Sequence, residues 1–390
     1  MGKKKTNKLP KKPAESSGGL NMQFKLLSAI GIIMIVAGHC YHGGLNMLYE
    51  WFPTYSFNIA LLVFISGYFY KEKYEESALK YIWKRTKRLL IPAYLWNIVY
   101  GLFILLMANF GYTIGGEVNL YNLFVMPFVD GEAFQYNLGS WFVYPLFVVC
   151  VFNILFRKLL KLIKLDNEYL IFIIYLAIGM LGINFAIQGN KEGIMRLVTR
   201  SMLFLPWYQM GKLYKSKLEA KDNLNSLAYF AIIFGIQLLL ITFFNDLEYT
   251  PSTMVKFNHG IIIPYITAVT GIAFWLRVSK LLTPAVRHWK PILLIANNTY
   301  SIMIHQMIGY MSIKWLFAIT SLITPLFKDF SFTLMKTNIW YYYLPNGLTQ
   351  YALLYLAGGI FVPIGIKKLL DLVYKPIKNI ITKNSKQAVK

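Results

Sequence analysis

Two histidines lie within apolar segments of the sequence, and imidazole is the side chain best suited to moving protons near neutral pH. His39 follows Lys25 by 14 residues, and His305 follows Pro291 by the same number. At a helical rise of 1.5 Å per residue, each ring lies roughly 21 Å along its helix from that landmark. The matched depth makes a shared site as good an explanation as two separate hydrogen-bonded interior histidines.

Other polar and aromatic groups are predicted near the same level. Ser66 lies in the middle of the second apolar segment, Trp141 opens the fourth, and Arg200 lies just inside one end of the sixth. Each also has a structural explanation. Ser66 could serve helix packing, Trp141 could lie at the membrane interface, and Arg200 could extend its charged end to the membrane surface. Together with the aromatic run that starts at Trp340, they predict a polar pocket at the end of the bundle away from the N-terminus.

Arg85 and Arg88 lie three residues apart in the basic segment 84–88, directly before the third apolar segment. Residues three apart share a face of an α-helix, and two guanidinium groups on one face suit bidentate phosphate binding. Plain anchoring at a membrane surface explains the same residues, and the spacing alone favours anchoring.

The sequence predicts no metal site. His39 and His42 are three residues apart, but no carboxylate or third histidine near them in the sequence completes a ligand set. The only two cysteines, Cys40 and Cys150, lie in apolar runs, where a thiol is usually a packing residue.

The composition places these residues in a membrane. Of the 390 residues, 56% are apolar and 15% are charged, whereas soluble domains carry about 25% charged residues. Apolar runs of membrane-spanning length recur along the chain, so we predict an all-α, polytopic membrane protein of about ten transmembrane helices. The predicted spans are 24–41, 55–70, 88–108, 139–156, 168–187, 197–213, 226–244, 258–276, 291–313 and 350–366.

The basic residues predict the orientation of these spans. The net charge is +23, and if both termini are cytoplasmic, 33 of the 40 Lys and Arg residues lie on the cytoplasmic side. This distribution follows the positive-inside rule. The charge therefore indicates topology and attraction to anionic membrane lipid, and nucleic acid is not an expected partner. The expected location is a cell membrane, and specifically a bacterial plasma membrane.

Three regions follow along the chain. Residues 1–20 are predicted to be a disordered basic cytoplasmic tail, 21–366 the transmembrane domain, and 367–390 a basic amphipathic cytoplasmic tail. The apolar stretch 315–327 extends the ninth span, re-enters the membrane or lies on its surface; the sequence leaves these three open.

Carboxylates are missing from the spans. All 17 Asp and Glu residues lie in loops, in tails or at the edges of spans. Transporters coupled to protons or sodium ions usually carry carboxylates within the membrane. The sequence therefore disfavours an ion-coupled transporter, although a passive or exchange mechanism stays open.

At these residues the sequence resembles a known family, the integral-membrane acyltransferases called acyltransferase family 3, and in particular the branch similar to fucose 4-O-acetylases. The similar motifs appear in the same order over most of the chain. They are the apolar run that closes on His39, Ser66-Gly67, Arg85-x-x-Arg88 followed by Pro92, Trp141-Phe142, Phe204-x-Pro206-Trp207 with Gly211, and Thr299-x-x-Ile302-x-x-His305.

The resemblance implies transfer of an acyl group, usually acetyl, from cytoplasmic acetyl-CoA to a hydroxyl group of an extracytoplasmic or lipid-linked glycan. Carried over by motif, His39 is the expected general base or acyl relay. His305 and Ser66 are expected to act with it, His305 or Arg200 steadying an oxyanion. Arg85 and Arg88 become expected donor-binding residues.

The acceptor carbohydrate is expected to contact Trp141, Arg200 and Trp340. The chain departs from the family pattern at Ser28, eleven positions before His39, where the family commonly has a basic residue. Lys25, one turn earlier, is the expected substitute in donor binding.

Two other functions stay open at this stage. A non-catalytic exporter or flippase of a lipid-linked sugar or small acid would use the same pocket without acyl transfer. An acyl-lipid-binding scaffold would leave both histidines dispensable. The sequence names neither the acceptor hydroxyl nor the oligomeric state, and it does not separate acetyl from succinyl.

Overall fold

The fold was analysed in a computed structural model, which describes residues 21–45, 51–131 and 133–387, with side chains to residue 374. The chain is helical, and no β-strand is present in these ranges. The first seven α-helices are α1 (Met22–His39), α2 (Thr54–Tyr68), α3 (Ala78–Arg85), α4 (Ile91–Ala108), α5 (Leu120–Phe124), α6 (Met126–Val129) and α7 (Val143–Leu162).

The second half of the chain adds eight more helices. They are α8 (Glu168–Ile187), α9 (Gly193–Leu213), α10 (Ser226–Phe243), α11 (Ile263–Val286), α12 (Lys290–Asn297), α13 (Thr299–Ile323), α14 (Phe332–Thr337) and α15 (Ala352–Gln387). Short 3-10 and π segments join several of them, including the 3-10 helix Gln135–Phe142 and the π turn Thr86–Leu90.

The predicted all-α membrane architecture is confirmed. Each of the ten predicted spans coincides with a helix, the ninth with α12 and α13 together. In the part of the chain that the structure describes, eight helical segments are long and apolar enough to cross a membrane. The other two predicted spans are α2, which has 15 residues, and α9, which carries three basic residues.

The structure describes two of the three regions whose conformation the sequence left open or assigned to tails. Helix α13 continues to Ile323, so the first part of the stretch 315–327 extends the ninth span. Helix α15 continues through the predicted C-terminal tail to Gln387 as one uninterrupted helix. The predicted N-terminal tail, residues 1–20, lies outside the described residues.

Glycine lets the central helices approach closely. A Cβ atom at Gly67 in α2 would lie 1.8 Å from the Tyr208 carbonyl oxygen in α9, and one at Gly211 would lie 1.9 Å from the Phe64 oxygen. Helices packed in lipid associate through such small residues because their backbones can then touch. The Ser66-Gly67 pair therefore lies at a helix crossing that fixes α2 against α9.

A charged network joins α7, α8 and α9 at the Lys25 end of the bundle, the end at which α1 begins. The Arg157 guanidinium donates to both Glu168 carboxylate oxygens, at 3.0 and 2.5 Å, and to Gln209 at 2.8 Å. Lys212 pairs with Glu72 at 2.5 Å. Because every charge in this buried group has a partner, we assign it a structural role.

Substitution of Gly211 by alanine should destabilise the bundle, since its methyl group would meet the backbone of α2. We expect a loss of about 1–3 kcal/mol in the free energy of unfolding, the usual cost of an overpacked contact. Thermal unfolding in detergent would measure the loss. Gly235→Ala is the matched control, because nothing lies within 4 Å of a Cβ atom at Gly235. Equal melting temperatures for both variants would contradict the close crossing.

Candidate functional site

His39 lies in a cavity of about 250 Å³, which we call the His39 cavity, at the end of the bundle where α1 ends. Helix α2 contributes Tyr55 and Asn58, the 3-10 helix contributes Trp141, and α13 contributes Gln306. Trp340 and the turn Thr250–Thr253 complete the wall, with Ile35, Ile59, Leu138, Gly139, Phe142 and Met303. The lining is largely apolar and aromatic with a few convergent polar groups, the usual character of a small-molecule site.

The imidazole of His39 is oriented by its own helix. Its Nδ1 lies 2.9 Å from the Ile35 carbonyl oxygen, one turn earlier. A carbonyl oxygen only accepts, so Nδ1 carries the proton and Nε2 keeps a lone pair. Trp340 stacks on the ring at a centroid distance of 6.1 Å, and Tyr55 meets it edge-on at 6.1 Å. In its neutral form His39 therefore has an Nε2 that can accept a proton.

The carboxyl end of α1 is held by tyrosine hydroxyl groups from three other segments. Tyr310 of α13 donates to the Val36 oxygen at 2.7 Å, and Tyr55 of α2 donates to the Gly38 oxygen at 2.7 Å. Tyr342 donates to the His39 oxygen. The Leu45 amide donates to the Ala37 oxygen at 2.8 Å. The last four carbonyl groups of the helix, which have no partner within the helix, are thus all satisfied.

Trp141 lies in the wall of the His39 cavity, but Arg200 does not. The Arg200 side chain is completely buried, its Cζ lies 5.0 Å from the Trp141 ring centroid, and its Nη1 donates to the Asp130 oxygen at 2.6 Å. The expectation that Arg200 faces the acceptor is therefore corrected. Its position indicates that Arg200 packs against the Trp141 ring and, through Asp130, fixes the loop that precedes Trp141.

His305 is likewise outside the His39 cavity. Residues advance by 100° around an α-helix, so His305 points about 200° away from Met303 and about 100° away from Gln306, which both line that cavity. Its Nδ1 lies 2.7 Å from the Tyr100 hydroxyl, and its ring meets Trp96 at 4.1 Å. The expectation of a shared pocket for the two histidines is corrected, because depth along a helix does not fix direction.

His305 lines a second cavity, of about 200 Å³, which we call the His305 cavity. Asn297, Asn298 and Ser301 line it together with Lys367 and Asp371 of α15. Its other wall residues are Trp96, Tyr300 and Leu370. Most of its wall residues carry polar groups, and the cavity lies at the Lys25 end of the bundle.

Ser66 lines a third cavity, of about 190 Å³, between the other two. This Ser66 cavity shares Phe142 and Met303 with the His39 cavity and Tyr300 with the His305 cavity. The Ser66 hydroxyl donates to the Leu62 oxygen at 3.0 Å, and no histidine lines the cavity. Ser66 is therefore not placed as a nucleophile beside His39. Ser28 lies in the same wall, and its hydroxyl donates to the Phe24 oxygen.

The predicted basic residues occupy three different positions near these cavities. The Lys25 ammonium donates to the side-chain oxygen of Asn297 at 2.6 Å, at the edge of the His305 cavity. Arg88 is exposed and adjoins Leu89, which lines the Ser66 cavity. Arg85 packs on the Tyr81 ring at 5.1 Å. The predicted common face of Arg85 and Arg88 is not formed, because the helix widens into a π turn between them.

Sequence reasoning did not single out two polar residues of the His39 cavity, Asn58 and Gln306. Their side chains are 2% and 1% exposed. Gln306 Nε2 lies 3.3 Å from the Met303 oxygen, and its Oε1 lies 3.3 Å from the Tyr310 hydroxyl, whose proton the nearer Val36 oxygen accepts. A carboxamide inside an apolar span was the available signal, since buried polar groups need partners. Within the described ranges, no three His, Cys, Asp or Glu residues are grouped to hold a metal ion.

Comparison with known proteins identifies the family. Residues 23–368 match the family model of the acyltransferase domain called acyltransferase family 3. The chain belongs to this family. It is therefore an acyltransferase with a multi-pass membrane architecture. Comparisons with curated proteins and with solved structures found no match.

Replacing Arg200 by methionine should destabilise this acyltransferase and loosen Trp141. The change leaves the Asp130 carbonyl without its donor, which costs about 1–3 kcal/mol for a buried group. Thermal unfolding in detergent would measure this loss. Arg196→Met is the matched control one turn earlier, since Arg196 is partly exposed and pairs with the Asp130 carboxylate. A smaller loss for Arg200→Met than for Arg196→Met would contradict the supporting role.

Proposed function

We propose that this protein moves an acetyl or similar short acyl group from acetyl-CoA to a hydroxyl group of a carbohydrate, with His39 as the base. The observation that carries the proposal is the series of three adjoining cavities. Shared wall residues place the Ser66 cavity next to the His305 cavity near Lys25 and next to the His39 cavity, and in this proposal the three form one passage. Such a series gives one substrate access from each end of the bundle.

The Lys25 end suits a phosphate-bearing donor. Lys25, Lys367 and the exposed Arg88 border the two cavities at this end, and ammonium and guanidinium groups bind phosphate. The Ser66 cavity between them and His39 is narrow and mostly apolar, which suits the slender arm of a coenzyme A thioester. The family commonly has a basic residue at the position of Ser28, and in this proposal Lys25 binds the donor instead. In this proposal the Lys25 end is cytoplasmic, as the charge distribution predicts.

The His39 end suits a sugar. Trp141 and Trp340 expose aromatic surface in the cavity wall, and Asn58, Gln306 and Thr253 add donors and acceptors. Amphipathic pyranose rings match such a mixture of aromatic faces and convergent polar groups. The acceptor is then an extracytoplasmic or lipid-linked glycan of a bacterial envelope, such as a capsule or cell-wall polymer.

The chemistry needs one base and one set of oxyanion donors. His39 Nε2 takes the proton of the sugar hydroxyl while the hydroxyl oxygen bonds to the thioester carbon. The carbon–sulfur bond then breaks, and the protonated imidazole returns the proton to the departing thiolate. In the alternative order, Nε2 bonds to the thioester carbon and the thiolate leaves. The sugar oxygen then takes the acyl group from Nε2, and the hydroxyl proton goes to the thiolate. The carboxamides of Asn58 and Gln306 replace His305 and Arg200 as the proposed donors to the oxyanion.

His39→Ala should abolish acyl transfer, because the reaction loses its proton acceptor. A general base contributes about 10²–10⁴-fold in rate. The measurement is transfer from labelled acetyl-CoA to a glycan acceptor by purified protein, with the ester identified by NMR of the glycan. His288→Ala, at an exposed position, is the control and should keep full activity. Normal transfer by a correctly inserted His39→Ala variant would refute the proposal.

Gln306→Leu should lower kcat by about 10²–10³-fold, the usual cost of one lost oxyanion donor, and should change the KM values less. Gln237→Leu is the matched control, since Gln237 is 1% exposed and accepts from Thr270 in the interface of α10 and α11. Equal kcat values for the two variants would remove Gln306 from the mechanism.

The family match disfavours the non-catalytic exporter or flippase, although the same series of cavities would also serve a transported molecule. The two functions separate in reconstituted vesicles. Counterflow of a lipid-linked sugar without ester formation would establish transport and exclude the acyltransfer proposal.

A further inference from the structure

Lys314 is a buried cation within a membrane-spanning helix. The predicted ninth span ends at residue 313, but α13 continues to Ile323, so Lys314 lies inside the helix. Lys314 is 4% exposed, and no carboxylate in the described ranges forms an ion pair with it. A charged side chain at such a position is costly, so an apolar residue would serve packing alone better.

The ammonium group of Lys314 holds one particular segment. Its Nζ donates to the Ile339 carbonyl oxygen at 2.6 Å and lies 5.2 Å from the Tyr342 ring centroid. Both partners belong to residues 338–344, which we call the aromatic strap. A hydrogen bond in such low-dielectric surroundings is stronger than one in water.

The aromatic strap in turn closes over the end of α1. Trp340 stacks on the His39 ring at an interplanar angle of 28°, and Tyr342 donates to the His39 carbonyl oxygen. Trp340 is also a wall residue of the His39 cavity. The segment between Lys314 and His39 is thus short: the lysine binds residue 339, and residues 340 and 342 contact the histidine.

We propose that Lys314 is the positioning residue that seats the aromatic strap on His39 and so shapes the side of the cavity that receives the acceptor. Lys314 does not line the cavity and acts through Trp340 and Tyr342. The structural part of this proposal stands on the contacts alone, whereas its kinetic part rests on the proposed acyltransferase function.

Hydrogen–deuterium exchange of the full-length protein in nanodiscs tests the structural part. In Lys314→Met, which keeps the length of the side chain but loses its donors, the amides of residues 338–344 should exchange at least about tenfold faster, as expected from the loss of one strong hydrogen bond. Lys314→Arg should restore slow exchange. Lys328→Met, at an exposed lysine in the same connection, is the control. Unchanged exchange in the strap would overturn the proposal, as would an equal increase along α13 and α15.

A second pair of measurements covers a failure of Lys314→Met to fold. Lys314→Gln keeps a neutral donor and should increase strap exchange to a lesser degree, and Tyr342→Phe releases the strap from the His39 side with Lys314 intact. Wild-type exchange in both variants would overturn the proposal.

The kinetic arm uses acetyl-CoA and the glycan acceptor. Lys314→Met should raise the acceptor KM by about tenfold and leave the donor KM unchanged, because only the acceptor side of the cavity contains Trp340. Equal rises in both KM values would overturn the assignment to the acceptor side. If the wild-type protein transferred no acyl group, the proposed function would fail while the exchange comparison would still decide the role of Lys314.

Discussion

The carboxyl end of α1 imposes the constraint on which this site depends. Four backbone carbonyl groups at a helix end have no partner within the helix, and within a membrane protein they must be satisfied by other protein groups. Here hydroxyl groups from α2, α13 and the aromatic strap approach that end, together with the Leu45 amide. Satisfying the helix end therefore brings together three of the segments that line the His39 cavity. The His39 cavity therefore lies where hydrogen-bond donors from other segments bind the last carbonyl groups of α1.

Two buried cations extend the same arrangement. Arg200 binds the carbonyl group of Asp130, and Lys314 binds that of Ile339. Each carbonyl belongs to a connecting segment that leads to an aromatic side chain at the cavity: Ile339 directly precedes Trp340, and Trp141 follows Asp130 by eleven residues. A hydrogen bond from a long basic side chain to a backbone oxygen has a defined direction. It can therefore fix the position of a loop, which apolar packing within lipid does less well. The charged network around Arg157 differs, because its charges pair with carboxylates.

Much of the fold could be predicted from the sequence, because a membrane restricts the backbone to helices of a set length. All ten predicted spans are helices, and His39, Trp141 and Trp340 do line one cavity. Direction around a helix was harder to predict. His305 lies on a different face of α13 from Gln306, and its cavity is at the Lys25 end rather than at the level of His39, because α12 ends at Asn297 and α13 begins only at Thr299. A π turn that no pattern indicates begins directly after Arg85 and contains Arg88. The predicted ninth span ends at residue 313, directly before Lys314, because hydropathy marks the end of a span where its first charge appears.

The charge arrangement inside the bundle also bears on the kind of reaction. Acyl transfer from a thioester to a hydroxyl group is neutral overall: a proton leaves the hydroxyl group and returns to the thiolate. A single imidazole can carry that proton, provided that one nitrogen is held as a donor and the other is left open. The Ile35 carbonyl group holds Nδ1 of His39 in this way. No carboxylate is then needed within the spans, whereas a cation-coupled transporter would need one to balance its ion. Because the Ile35 carbonyl group already fixes the tautomer of His39, no carboxylate is needed to orient the base. This agrees with the positions of Asp and Glu, which lie outside the predicted spans or at their edges.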